Sequence, residues 1–219
     1  MIRHVSLDEI SDGRLYTSSD LVKADCQGCG GCSACCRGMG NSIVLDPWDI
    51  WMIGRGTGKD FNSLHSGYID LHMTDGIILP SLKMAGEEER CMFLDDRQRC
   101  SIHPFRPGIC RLFPLGRFYE EKGFRYFLQT HECKKKDRSK IKVKKWLGIP
   151  ELKTYEAYIF TWHEFLKICR EQSRDLDQDN LKILQMYLIR TFYQAPYGEK
   201  SFYEEFYTRL AQVKEKLGL

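Results

Sequence analysis

With 219 residues, 42% of them hydrophobic and 29% charged, the chain can bury one good core, or a domain with a helical appendage, without help from disulfides. The net charge is only +3, no apolar run approaches the ~20 residues of a membrane span, and "MIRHVSLDEISDGRLY" has neither an apolar h-region nor a small-residue cleavage site. The expected compartment is therefore the cytoplasm, where ten cysteines read as metal ligands or redox groups before structural disulfides; a secreted disulfide scaffold would also be shorter.

In chain order, "SIVL" (Ser42 to Leu45) reads as a strand. "DPWDIWMIG" follows as a helix, with Asp46 at the N-cap, Pro47 at the first helical position and Asp49 near the positive end. "DGIILPSLKM" is apolar and extended. "CMFLDDRQRCSI" has two apolar arms around a polar Asp95 to Arg99 turn, and "LGRFYEEKGFRYFLQT" repeats that design around Glu120 to Gly123, so both are expected to be β-hairpins. Helical periodicity then takes over. Tyr155, Tyr158, Ile159, Trp162, Leu166 and Cys169 recur at three- and four-residue steps, followed by Leu181, Leu184, Leu188 and Phe192. A last helix is expected from a Ser201–Glu204 capping box, with Phe206, Leu210, Val213 and Leu217 on one face. The fold class is α+β: a cysteine-rich domain of short strands, hairpins and helices over residues 1–145, with a helical part, 146–219, packed on it. The aromatic stripes read as core rather than a cofactor face, and Cys169, on the same stripe, as a buried thiol packing like a small hydrophobe.

Nine cysteines lie between Cys26 and Cys133, five of them within "CQGCGGCSACC". Each Cys-x-x-Cys step lets two thiolates reach one centre, and glycines between them let the chain wrap closely and turn amide N–H groups toward sulfur. Two registers stay open. Cys26, Cys29, Cys32 and Cys36 follow bacterial ferredoxin spacing, with Arg37 in place of the usual proline. Alternatively Cys29, Cys32, Cys35 and Cys36 form C-x2-C-x2-C-C, a pattern that calls for completion from elsewhere or for two centres. Cys91, Cys100, Cys110 and Cys133 are the thiols available for that. His103 could add a nitrogen ligand, although a lone histidine there is more often a hydrogen-bonding surface residue.

The segments "CGGCSACC", "RC" at Cys91, "CSIH" at Cys100, "RPGICRLFPL" around Cys110 and the last cysteine at Cys133 together resemble the YkgJ-type cysteine-cluster family. That family is described as a zinc- or iron-chelating domain with a CxxCxxCC signature. The resemblance covers about residues 26–145 and implies a ligand set of Cys29, Cys32, Cys35, Cys36, Cys91, Cys100, Cys110 and Cys133, to which Cys26 is extra. The cysteine segment is also similar to that of flagellin lysine-N-methylases, which are thought to hold an iron–sulfur cluster. The crowded loop favours iron–sulfur, with zinc the alternative.

"KKKDRSKIKVKK", Lys134 to Lys145, carries eight basic residues and one acid. Such a run is usually a solvated face; the sharper reading is an anionic or protein partner, or an offset to thiolate charge beside Cys133. Nucleic acid is disfavoured, because no aromatics interleave the cations. No phosphate loop, H-E-x-x-H or G-x-S-x-G motif supports conventional catalysis. Asp95 and Asp96 read as turn residues, and Arg106 and Arg111 as contacts for an anionic substrate or for loop carbonyls. The expected function is a metal-binding protein with a structural or redox centre. The alternatives are a cluster-dependent enzyme, resembling a protein lysine methyltransferase or an oxidoreductase, and a metal-delivery or interaction module.

Overall fold

The computed structural model describes residues 6–27, 32–198 and 201–219. Its elements begin with α1 (Leu7–Ile10), β1 (Leu21–Asp25), α2 (Pro47–Thr57) and α3 (Phe61–Gly67). Next come β2 (Ile69–Thr74), β3 (Ile77–Leu82), β4 (Met84–Ala85), β5 (Arg90–Cys91), α4 (Gly108–Leu112), β6 (Leu115–Glu120), β7 (Gly123–Leu128) and β8 (Ser139–Lys142). Helices α5 (Val143–Leu147), α6 (Leu152–Ser173), α7 (Gln178–Ile189) and α8 (Phe202–Leu217) complete the α+β fold, with a π-helical turn at Arg190–Gln194. The strands form separate antiparallel pairs, β1–β8, β2–β3, β4–β5 and β6–β7.

Local chemistry explains several of these elements. Asp46 and Asp49 close a reciprocal capping box on α2: the Asp49 N–H donates to Asp46 Oδ1 at 3.0 Å, and the Asp46 N–H donates to Asp49 Oδ2 at 3.1 Å. Between β2 and β3, Asp75 and Gly76 both take positive φ, the requirement of a two-residue turn whose twist matches its strands. The hairpin of β6 and β7 pairs Leu115 with Leu128 and Glu120 with Gly123. Helix α6 buries Tyr155, Tyr158, Ile159, Trp162, Leu166 and Cys169 and packs on β3 and β7, so the aromatic stripe is core. One continuous hydrophobic cluster runs from Val22 to Val213, drawing on both the strand-rich and the helical parts.

Three expectations are corrected. "SIVL" makes only one bridge, Val44 to Ser81. The Leu45 N–H donates to the Pro80 carbonyl at 2.8 Å, but proline has no N–H to return the bond, and the Leu45 carbonyl accepts from the Tyr193 hydroxyl at 3.1 Å instead. "CMFLDDRQRCSI" likewise has a single bridge, Leu94 to Cys100, around the Asp95 turn, while Cys91 pairs with Met84. At α8 the Ser201 side chain makes no capping bond; Glu205 Oε1 ties down the entry by accepting from the Gly198 N–H at 2.8 Å. The pairing of β1 with β8 has no local signature in the sequence. It makes a third of the basic run a strand, and Lys140 and Lys142 on that strand face solvent while Val143 and Leu147 anchor the following α5 in the core.

Candidate metal centre

Four chain segments bring thiols together. After the 3-10 turn Ala34–Cys36, Arg37 bridges antiparallel to Arg90, which sets Cys36 across from Cys91. Arg37 also reaches Glu88 and Gln98 with its guanidinium. The tight Asp95–Arg99 turn, held by the Arg99 N–H on Asp95 Oδ1 at 2.8 Å, folds Cys100 back beside Leu94. Asp95 is thus a turn residue, as expected. Helix α4 supplies Cys110. Its first amide, Gly108 N–H, donates to Asp49 Oδ1 at 2.7 Å, so the buried carboxylate that closes the α2 capping box also fixes α4. Gly108 is required by close approach: a Cβ there would lie 2.0 Å from the Tyr155 hydroxyl oxygen.

Arg111 is buried and resolves its two readings in favour of loop carbonyls. It donates from Nε to the Arg106 carbonyl at 3.0 Å and also reaches the carbonyls of Pro104 and Gly148. The loop between Cys100 and Cys110 is thereby stapled from within. Arg106 lies against His103, with Nη1 2.8 Å from Nε2 and 3.1 Å from the His103 carbonyl oxygen. Burial, then the charges of Arg106, Arg99 and Arg111, hold the imidazole below its usual pKa and so neutral.

Electrostatics tie five thiols into one constellation. Cys35 shares a hydrogen bond with Cys36, which together with burial raises its pKa. Burial raises Cys91, and Cys100 and Cys35 add to the shift; Cys100 is raised by burial and by Cys35. Cys110 is pushed well up, first by burial and then by Cys91, Asp49, Cys35 and Cys100. Two amides oppose this: the N–H groups of Phe93 and Ile102 point at the sulfurs of Cys91 and Cys100, two residues before each, while Arg106 favours thiolate at Cys35 and Cys100. Crowded thiols that penalise each other's ionisation, yet face amides and a guanidinium, suit a bound cation that supplies the missing positive charge. The constellation lies at the wall of a cavity of about 550 Å³ that also touches Arg106, His103 and Arg117.

A separate cleft of about 20 Å³ is lined by Cys26, Cys32, Cys35 and Cys133, with Glu132 and Lys134. Of the eight cysteines implied by the resemblance, Cys29 falls outside the described residues, as does the glycine wrap of residues 28, 30 and 31. The other seven divide between the two places, with Cys32 and Cys35 bordering both. None of the nine described cysteines is in a disulfide. Among the described residues, no three His, Cys, Asp or Glu side chains form a group that could hold one ion. Cys169 is fully buried in α6, away from both places, and its thiol is pushed up to about 12 by burial.

Sequence reasoning treated Asp49 only as a helix cap and missed its grip on Gly108, because that bond spans 59 residues. No helix is long and apolar enough to cross a membrane among the described residues. A family model described as "Putative zinc- or iron-chelating domain", named for the CxxCxxCC signature, matches residues 25–134. No curated protein and no solved structure matches the chain.

Proposed function

We propose, from the premise that the chain belongs to the CxxCxxCC zinc- or iron-chelating family, that it holds its metal through the cysteines of residues 26–133. Cys35, Cys36, Cys91, Cys100 and Cys110 form the principal donor set. The observation that carries this reading is their mutual electrostatic contact at one cavity wall, although they come from four separate segments. An iron–sulfur cluster is the favoured occupant, because the set offers more thiols than the four of a structural zinc site and adjoins open volume; zinc is the alternative. The role is structural or redox. The exposed lysines from Lys134 to Lys145 form the surface for an anionic or protein partner, and Lys134 adds positive charge at the cleft beside Cys133.

Anaerobic purification tests the occupant directly. Brown protein with iron and acid-labile sulfide is the expected result, and colourless protein with stoichiometric zinc would overturn the cluster. A second reading, a cluster-dependent enzyme, is favoured by the cavity alone: about 550 Å³ lies within the range of small-molecule sites, and Arg106 and Arg117 reach its wall. Its methyl-transfer form requires binding of a methyl donor, and calorimetry finding none for any candidate donor would count against it.

A further inference from the structure

We propose that β8 is a docking edge, to which an extended acidic segment of a partner protein adds as a further antiparallel strand, with carboxylates at alternate positions facing Lys140 and Lys142. This deepens, and rests on, the reading of the basic run as a partner surface. Among the described residues β8 pairs with β1 and with no other strand. Val22 stands opposite Ile141, and the Val143 N–H donates to the Asp20 carbonyl at 3.0 Å, which continues the same register. In an antiparallel ladder the bonds toward one neighbour come from every second residue. Residues 141 and 143 therefore point theirs at β1, while Lys140 and Lys142 direct theirs outward. The Lys142 carbonyl sits at the N-cap of α5, but the Lys142 N–H and both backbone groups of Lys140 have no partner among the described residues.

The side chains suit an acidic strand. Val22 and Ala24 face inward with Ile141, so Leu21, Lys23, Lys140 and Lys142 share the solvent face. Among the described residues none of Lys23, Arg138, Lys140, Lys142 and Lys144 is in an ion pair, and Arg138 keeps Nε and Nη1 buried without a hydrogen-bond partner. The neighbouring acids are engaged locally. Asp20 accepts from the Thr17 N–H at 2.7 Å and its hydroxyl at 2.8 Å, and Asp25 accepts from the Gln27 N–H at 2.9 Å and the Ser139 hydroxyl at 3.2 Å. Carboxylates two residues apart on an added strand lie on the face of Lys140 and Lys142 and supply the missing charge. A second copy of β8 would set lysine against lysine, so the same charges that reject self-pairing select an acidic partner. Nucleic acid has no peptide ladder for the free amides and finds no aromatic side chain on this face.

The test is fluorescence anisotropy on the full-length, metal-loaded chain, with a labelled synthetic peptide that alternates glutamate with threonine as the probe. A peptide of the same composition with its glutamates in one block is the comparison. The alternating peptide is expected to bind more tightly than the block peptide, and Lys140→Glu to weaken it about tenfold. Lys142→Pro separates the ladder from the charge. Lys142 has φ −64°, the value proline requires, and its N–H points away from β1, so the substitution removes an edge donor and leaves the native pairing intact. It should bind roughly fivefold more weakly than Lys142→Ala, which removes the charge alone. Equal affinity of these two variants, or of the two peptides, would overturn strand addition while leaving the run a diffuse surface for anions. Tighter binding of a mixed-sequence RNA or of phosphatidylserine vesicles would overturn it in favour of those partners, and self-association abolished by Lys142→Pro would assign the edge to a second copy. Binding of none of these probes would overturn the partner-surface reading itself, a distinct result. Should Lys142→Pro lose the wild-type far-UV circular dichroism, peptides N-methylated on alternate amides decide. Methylation along the ladder edge should abolish binding and methylation along the opposite edge should not, and equal effects at both edges would refute the proposal.

Discussion

Gly108→Ala isolates the device that positions Cys110. Helix propensity alone would favour alanine by up to about 1 kcal/mol. The new Cβ, however, would stand 2.0 Å from the Tyr155 hydroxyl oxygen and 3.1 Å from its ring carbon, so α4 must move away. That movement stretches the 2.7 Å bond from Gly108 N–H to Asp49. Overpacking of this kind costs about 1–3 kcal/mol, and losing the bond to Asp49, whose carboxyl is pushed well above its ordinary pKa by burial and by Asp46, adds about 1–3 kcal/mol by leaving a buried polar group unsatisfied. After subtracting the propensity gain, the net is about 1–5 kcal/mol, or roughly a 2–20 °C fall in melting temperature for a chain of this length. Tyr155→Phe removes the clashing oxygen and leaves the ring carbon at a distance that a small shift accommodates. By itself it loses only the bond from Arg117 at 3.2 Å. The assay is a double-mutant cycle by urea denaturation of the metal-loaded protein, with metal content read in parallel. The double variant should recover at least half of the Gly108→Ala loss, and Gly108→Ala should bind metal less tightly. Strict additivity, or a Gly108→Ala protein within about 0.5 kcal/mol of wild type, would refute the positioning role.

Three further outcomes follow from the same geometry. Metal removal by a chelator should raise amide exchange in residues 32–38 and 91–112 while α6, α7 and α8 stay protected, since those helices are held by an aromatic core; uniform loss of protection would contradict this. Cys91, Cys100 and Cys110 have thiol pKa values raised above the ordinary ~8.5, so ligation must displace protons across the whole neutral range. Metal affinity in chelator competition should therefore keep rising from pH 6 to 9, and a plateau near pH 7 would show that the ligating thiols are already ionised. Cys169→Ser should destabilise by about 1–3 kcal/mol, because it puts a hydroxyl into a fully buried apolar site, with metal content unchanged; loss of metal would make Cys169 a ligand.

The sequence by itself determined what short-range chemistry governs. Asp46, Pro47 and Asp49 start α2 because all the capping partners lie within four residues, and the β6–β7 hairpin and the helical stripes are local in the same sense. It also identified the cysteine family, because ligand spacing and neighbouring residues are written in order along the chain. Tertiary structure decided the rest. The proline at position 80 withholds the return bond from "SIVL", and Arg111 turns to loop carbonyls rather than a substrate. Asp49 reaches 59 residues to hold Gly108. Above all, β1 meets β8 across more than a hundred residues and carries Cys26 to the cleft of Cys133. Spacing can say that thiolates have the reach to share an ion; which of them do depends on long-range pairing, whose closure entropy and hydrogen bonds leave no local mark in the sequence.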